Sequence, residues 1–328
     1  MTHQPTPEIT VEQIVPLANE ILAEVEKAVI GKHETLKKML AALLSSGGHI
    51  LLEDNPGLAK TLIANTFATV LGLTFKRIQF TPDLLPGDIT GGYVFDNNTN
   101  QFSLRKGPIF TQILLADEIN RASPKTQSAL LEAMQEYQVS LEGETKSLPV
   151  PFIVIATQNP IESEGTFPLP EAQLDRFLIK LSIGYPRPEE EQEMLHRRRE
   201  RKQDSFHLEP IIHPDTFEAM QRVIENVFVE PDLERYIVNL VGQTRLHRQV
   251  VIGASPRGSL ALLKISRAWA AIHGRSYVIP DDIKTLAPII LCHRIILEPS
   301  LWGSRNAELT IMDEILNTVP VPVLKTAA

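Results

Sequence analysis

Apolar residues recur along this chain with two different periods, and the change between them divides it. Ile14, Leu17, Ala18, Ile21, Leu22 and Val25 lie at helical spacing behind Thr10, and Gln13 three residues on can complete a capping box. Pro16 removes one backbone hydrogen bond inside that pattern, so the regular helix is expected from about there. A second helix is expected over about 34–46, stopped by Gly47-Gly48. Short continuous apolar runs follow at 50–52, 113–116 and 152–156, the texture of strands buried on both faces, and 75–80 and 177–183 read as two further strands. Helical stretches separate them: from about Lys60 to Leu71 before Gly72, from Ser123-Pro124 as N-cap and N1 to about Glu136, and briefly over 172–176. Buried strands alternating with helices predict an α/β fold built on a parallel sheet with both faces covered.

Two stretches interrupt the alternation. Between Thr81 and Gly107, Pro, Gly and Asp surround Tyr93-Val94-Phe95 and Gln101-Phe102-Ser103-Leu104, with a polar tip at 96–100. This predicts a hairpin inserted into the βα framework. A second hairpin is expected from Val139 through the turn Glu142-Gly143-Glu144 to Val150. Residues 1–9 read as a loose polar lead, 161–170 as a loop, and the Val-Pro-Val-Pro near the C-terminus as a short extended tail. After Tyr185-Pro186-Arg187-Pro188 the strand texture ends. Helices are expected over about 188–203, 214–228, 231–248, 256–273, 281–294 and 308–318. The first opens on Glu189, Glu190 and Glu191 and closes on a basic run from 197 to 202, matching the helix dipole. The expected division is an α/β core over 1–186 and an all-helical domain over 187–328.

Bulk properties narrow the partners. The 328 residues suffice for two domains with a sizeable core. The formal charge of −8, from 40 acidic against 32 basic residues, argues against a constitutive nucleic-acid or anionic-membrane binder. Cys292 is the single cysteine, so a disulfide framework is excluded and a reducing compartment is expected. The N-terminus lacks the basic and apolar regions of a secretory signal, and no apolar run is long enough to span a bilayer. A cytoplasmic location is the expectation.

The chemistry concentrates in a few segments. Ile50-Leu51-Leu52 leads through Pro56 and Gly57 to Lys60-Thr61, which open an apolar helix. A strand, a Gly/Pro loop and a helix start make a phosphate cradle: backbone N–H groups face the anion, Lys60 reaches the terminal phosphates and the Thr61 hydroxyl can ligate Mg²⁺. The alternative is an ordinary strand–turn–helix corner, because Asp54 stands where the pattern has its first Gly and Ala59 replaces the Gly before the Lys. Asp117 and Glu118 end the next apolar strand. An Asp delivered to Mg²⁺ with an adjacent acid orienting the attacking water is the Walker B arrangement; two exposed acids are the alternative. Asn159 ends a further strand, where its amide can reach a γ-phosphate or its water or merely shape the turn before Pro160. Arg176 can pair locally or act across a subunit boundary as an arginine finger. Arg257 lies in the first turn of a helix, where a cation is unfavourable; a bound anion would explain it, and a solvated side chain is the alternative. Cys292-His293 inside an apolar helix, Trp269 and Trp302 read as packing, and the basic run 196–202 as a solvated helix end.

Asn55-Pro56-Gly57-Leu58-Ala59-Lys60-Thr61, Asp117-Glu118-Ile119-Asn120-Arg121-Ala122, Gln158-Asn159-Pro160 and Glu171-Ala172-Gln173-Leu174-Asp175-Arg176-Phe177 together resemble the MoxR family of AAA+ ATPases, from about Ile21 to the last helix. The resemblance implies a P-loop core with sheet order 5-1-4-3-2, a helical lid, and homo-hexameric rings holding ATP and Mg²⁺ between subunits. It implies Walker A at Lys60 and Thr61 within a nucleotide-binding stretch from Asn55 to Leu62, Walker B at Asp117 and Glu118, sensor 1 at Asn159, the finger at Arg176 and sensor 2 at Arg257. Arg121 is a second arginine able to reach a neighbour. Val29, Ile30 and Gly31 would lie near the adenine. The hairpins resemble the helix-2 insert and the pre-sensor-1 hairpin, facing a ring pore or a protein client. MoxR relatives commonly act with a von Willebrand factor A (VWA) partner. The implied function is ATP-driven remodelling or maturation of a protein client. The alternatives are a nucleotide-gated assembly scaffold with little turnover and, disfavoured by the acidic balance, a nucleic-acid motor. Asp54, if the cradle is real, must face away from the phosphates.

Overall fold

The computed structural model describes residues 9–97, 100–160, 165–304 and 306–322. Most of the N-terminal lead, part of the first hairpin's tip, the start of the loop 161–170 and the last residues of the tail lie outside them. The first half of the chain runs α1 (Val11–Val25), α2 (His33–Leu44), β1 (Ile50–Glu53), α3 (Lys60–Val70), β2 (Phe75–Gln79), α4 (Pro86–Thr90), β3 (Gly91–Asp96), β4 (Gln101–Lys106), β5 (Ile113–Asp117), α5 (Pro124–Glu136), β6 (Gln138–Leu141), β7 (Glu144–Ser147), β8 (Ile153–Gln158), α6 (Glu171–Leu174) and β9 (Ile179–Leu181). The second half follows as α7 (Pro188–Arg201), α8 (Pro214–Ile224), α9 (Pro231–Leu246), β10 (Val250–Ile252), α10 (Pro256–Ile272), α11 (Pro280–Leu291), β11 (Ile296–Leu297) and α12 (Ala307–Thr318).

Five strands pair in parallel in the order β2-β5-β8-β1-β9. Counted by their place in the chain and read from the β9 edge, this is 5-1-4-3-2. Alternate strand residues enter two separate cores. Ile50, Leu52, Ile113, Leu115, Ile153 and Ile155 pack with α1, α2, α3 and helices of the second half. Leu51, Leu114, Ala116, Val154 and Ala156 pack with α5 and the base of the inserted hairpins. That double burial is why these strands read as continuous apolar runs. Both hairpins form, β3 with β4 and β6 with β7. The Tyr93 hydroxyl joins them, donating to Glu144 Oε2 at 2.7 Å.

Several expectations are corrected. α1 begins at Val11 and carries Pro16 inside it; the Thr10 N–H donates to Gln13 Oε1 at 3.0 Å, so the cap holds the turn ahead of the proline. The second half is not wholly helical, because β10 and β11 form a short antiparallel ladder. α11 stops at Leu291, and Cys292–Arg294 is a 3₁₀ turn that carries His293 and Arg294 back into the core. Trp269 is buried as expected, but Trp302 is exposed, its indole N–H donating to the Leu297 carbonyl at 3.0 Å.

Candidate active site

The loop between β1 and α3 turns through two left-handed residues, Gly57 at φ +83° and Ala59 at φ +56°. Glycine adopts that conformation freely, and alanine does so at a cost. Lys60, the first residue of α3, folds its ammonium back onto the loop, donating to the carbonyls of Asp54 and Asn55. Burial holds Lys60 below its usual range, opposed by the negative charges of Asp54, Asp117 and Glu118. Lysine and both strand-end acids therefore feel one another at the same end of the sheet. A cavity of about 340 Å³ opens beside the loop, lined by Val29, Ile30, Pro56, Leu58, Ala59 and Leu62 and closed by Tyr185 and by Met194 of α7. An apolar cleft of that size beside the N-terminus of α3 fits a nucleoside carrying phosphates. Gly31, at φ +75°, stands next to that lining, and a Cβ there would collide with Glu190 of α7.

Asp54 is buried, and its carboxylate turns away from the cradle. Oδ1 accepts the Ser182 hydroxyl at 2.6 Å and the Gly184 N–H at 3.1 Å, while Oδ2 accepts the Ile183 N–H. Asn55 donates from Nδ2 to the Tyr185 hydroxyl at 3.1 Å. Consecutive loop residues thus grip the segment that leads from β9 toward α7.

The acids at the end of β5 are held by a network that spacing did not reveal. Asp117 accepts the Thr157 hydroxyl at 2.6 Å through Oδ1, and Arg77 Nη2 and Nε at 2.7 and 3.0 Å through Oδ2. The Glu118 N–H donates to the same Thr157 oxygen at 2.8 Å. Glu118, at φ +56°, has its carboxylate against Gln79 Nε2 at 2.7 Å and Arg121 Nε at 3.3 Å. Arg77 and Gln79 lie two apart on β2 and so share one face. Their only sequence signal is a pair of polar residues at alternate positions of a strand. Arg121, considered as a trans-acting arginine, faces its own Glu118. Asn159 follows β8 directly and is buried. The Thr61 hydroxyl and the Asp117 carboxylate are oxygen donors of the type that Mg²⁺ takes, and Asp117 is engaged by Arg77 here.

Arg176 and Arg257 lie elsewhere. Arg176 precedes β9 and donates to the carbonyl of Leu131 in the middle of α5. Arg257, in the first turn of α10, is 3.5 Å from Gln135 Oε1 and 4.0 Å from Asp175 Oδ2. Asp175 supplies the anion that offsets a cation at that helix end. Both arginines border a surface hollow with Gly47 and His49, which lead into β1. The phosphate loop leaves the other end of β1, roughly 15 Å away at about 3.3 Å per strand residue. Lys60, Asp117, Glu118 and Asn159 thus follow the ends of their strands, and Arg176 and Arg257 lie beside the starts of β1 and β9.

The remaining titratable features are structural in their contacts. Burial pushes the Cys292 thiol up to about 12, which makes it a poor nucleophile. In the basic run, Arg197 pairs with Glu193, Arg198 with Asp204, and Arg201 stacks over Phe206.

Residues 49–179 match the model of the ATPase family associated with various cellular activities (AAA), and 242–315 match the AAA lid domain. The chain is 48% identical to the uncharacterized protein YeaC of Bacillus subtilis, over 96% of this chain and 98% of that protein. It is 44% identical to the chaperone MoxR1 of Mycobacterium tuberculosis, over 91% of this chain and 81% of that one. The crystal structure of a protein from Cytophaga hutchinsonii proposed to be an ATPase superposes with a TM-score of 0.88 at 40% identity, covering 95% of this chain and 97% of the other.

Proposed function

The chain belongs to the MoxR family of AAA+ ATPases, and we propose from that premise that it hydrolyses MgATP at the junction of two subunits and spends the cycle on remodelling or maturing a protein client. The observation that carries this reading is the separation just described, with Lys60, Asp117 and Glu118 at one edge of the sheet and Arg176 and Arg257 at the other. A complete site then needs a second copy, whose arginines approach the first copy's phosphate loop, and a homo-hexameric ring repeats that contact.

In this reading, residues 55–62 wrap the phosphates, Lys60 leaves the loop carbonyls for the terminal phosphate, and Val29 and Ile30 flank the base with Gly31 beside them. Thr61 and Asp117 would hold Mg²⁺, which supplies charge neutralisation on the β- and γ-phosphate oxygens. Glu118, freed from Gln79 and Arg121, takes the proton of the attacking water, and Asn159 orients that water or the γ-phosphate. Arg176 and Arg257 stabilise the charge that develops in the neighbouring site. The core through 186 and the helical part from 187 are the two domains of this reading, and they share one apolar core. The two tied hairpins, with Val94, Phe95 and Phe102 exposed, offer apolar contacts to the client, and a VWA-domain protein is the expected partner, in the cytoplasm.

ATP turnover by the wild type against Glu118→Gln tests the reading. Hydrolysis is expected to fall by about 10² or more with nucleotide binding retained. Equal, slow turnover by both would favour the nucleotide-gated scaffold. That second reading has one observation on its side: in this state both strand-end acids are engaged by other side chains.

A further inference from the structure

We infer that Asp175 and Arg294 are positioning residues that hold Arg176 and Arg257 as one unit; the inference rests on the two-subunit reading above. Asp175 immediately precedes Arg176. Its Oδ2 accepts the Ser255 hydroxyl at 2.9 Å, and its Oδ1 accepts Arg294 Nε at 2.9 Å. Ser255 is the N-cap of α10, and its oxygen accepts the backbone N–H of Arg257 at 3.1 Å. One carboxylate therefore joins the turn carrying Arg176 to the helix start carrying Arg257, although the two lie far apart in sequence.

Arg294 moulds the other side of that turn. Its guanidinium is buried and donates to the carbonyls of Phe177 at 2.5 Å, Leu178 at 3.2 Å and Asp175 at 3.4 Å, and to that of Ile290. Burial lowers its pKa to about 10, with Asp175 opposing, so it remains a cation at neutral pH. A buried ion pair is a poor source of stability, since apolar residues of similar volume often do as well or better. It does fix direction: a planar donor anchored on its own helix at Ile290, with its other carbonyl bonds on residues 175–178, restricts that segment to one arrangement. In that arrangement Arg176, half-buried, and Arg257 border one hollow. None of Asp175, Ser255 and Arg294 lines the cavity at the phosphate loop.

The test uses full-length Ser255→Ala, which removes one hydrogen bond without stranding a charge, and the double variant Asp175→Asn/Arg294→Met, which removes the pair together. Thermal melting identifies variants that fold. Nucleotide affinity is expected to stay within about twofold, and turnover to fall on the order of tenfold to 10²-fold from misplaced arginines. Each variant is then mixed with Lys60→Ala, which lacks a working phosphate loop but presents intact arginines. Turnover above either parent is expected. Arg176→Ala mixed with Lys60→Ala is the control. If the control recovers and the Ser255 and Asp175/Arg294 variants do not, or if those variants turn over normally or lose nucleotide affinity, the positioning role is wrong and the two-subunit reading stands. If the control itself fails to recover, the two-subunit reading falls, and the positioning role with it.

Discussion

The carboxylate of Asp54 accepts the backbone N–H of Ile183, tying the first residue of the phosphate loop to the strand exit that leads into the helical half. Its other oxygen takes Ser182 and Gly184. An acid beside a phosphate cradle would repel the ligand; one directed into the opposite wall couples the loop to the segment joining the two halves of the chain.

Asp54→Gly is accordingly expected to bring no gain in nucleotide affinity and to lower stability by about 1–3 kcal/mol, because the Ile183 N–H is left buried without a partner. Chemical denaturation and nucleotide titration measure the two effects. Tighter binding with unchanged stability would place the carboxylate at the phosphates after all.

If Asp117 holds Mg²⁺ as proposed, Arg77 competes with the ion for its carboxylate. Removing it in Arg77→Met is expected to raise apparent Mg²⁺ affinity in the presence of ATP about two- to fivefold, a modest change because the guanidinium is half exposed and screened by water. Turnover measured across a Mg²⁺ titration reads this directly. Weaker Mg²⁺ dependence in the opposite direction would mean that Arg77 supports the ion rather than displacing it.

Ala59 holds a left-handed conformation at the start of α3. Ala59→Gly relieves that strain at the expense of a floppier unfolded chain, and a net stabilisation of about 1 kcal/mol is expected. A shift of the urea midpoint to lower concentration would show instead that the Cβ contributes contacts worth more than the strain.

His49 sets an acid limit on the fold. Buried just before β1, it accepts the Val154 N–H at Nδ1 and has Nε2 3.1 Å from the Met134 carbonyl, so both nitrogens are satisfied in the neutral ring. Burial pushes its pKa down from 6.5 to about 4. The unfolded chain therefore binds a proton at higher pH than the folded one. Its contribution to stability is full above about pH 6.5, is lost progressively as pH falls toward 4, and amounts to about 3 kcal/mol. Denaturation midpoints measured from pH 7.5 to 4 should show this slope, and His49→Gln should flatten it. An unchanged slope in that variant would assign the acid sensitivity to other groups.

The inserted hairpins, the parallel core and the acids at a strand end were all legible, because each is written within one segment. Ser123-Pro124 caps α5 as read, since a cap is a contact between near neighbours. Pro16 misled, because the tie between Thr10 and Gln13 outweighs one lost hydrogen bond. Trp302 misled because an aromatic side chain by itself does not say whether anything covers it.

Residue type and hydrophobic period are local properties, and they suffice to mark the residues able to carry phosphate chemistry and the strands that are buried. How those residues divide depends on contacts between segments far apart in the chain. Thr157, Arg77 and Gln79 meet the strand-end acids across neighbouring strands, Asp54 faces the strand exit, and Asp175 joins Ser255 to Arg294 through contacts between segments remote in the chain. Parallel strands put the residues that follow them at one edge of the sheet and those that precede them at the other. That geometric rule separates Lys60 from Arg176, and a linear pattern of charged residues does not carry it.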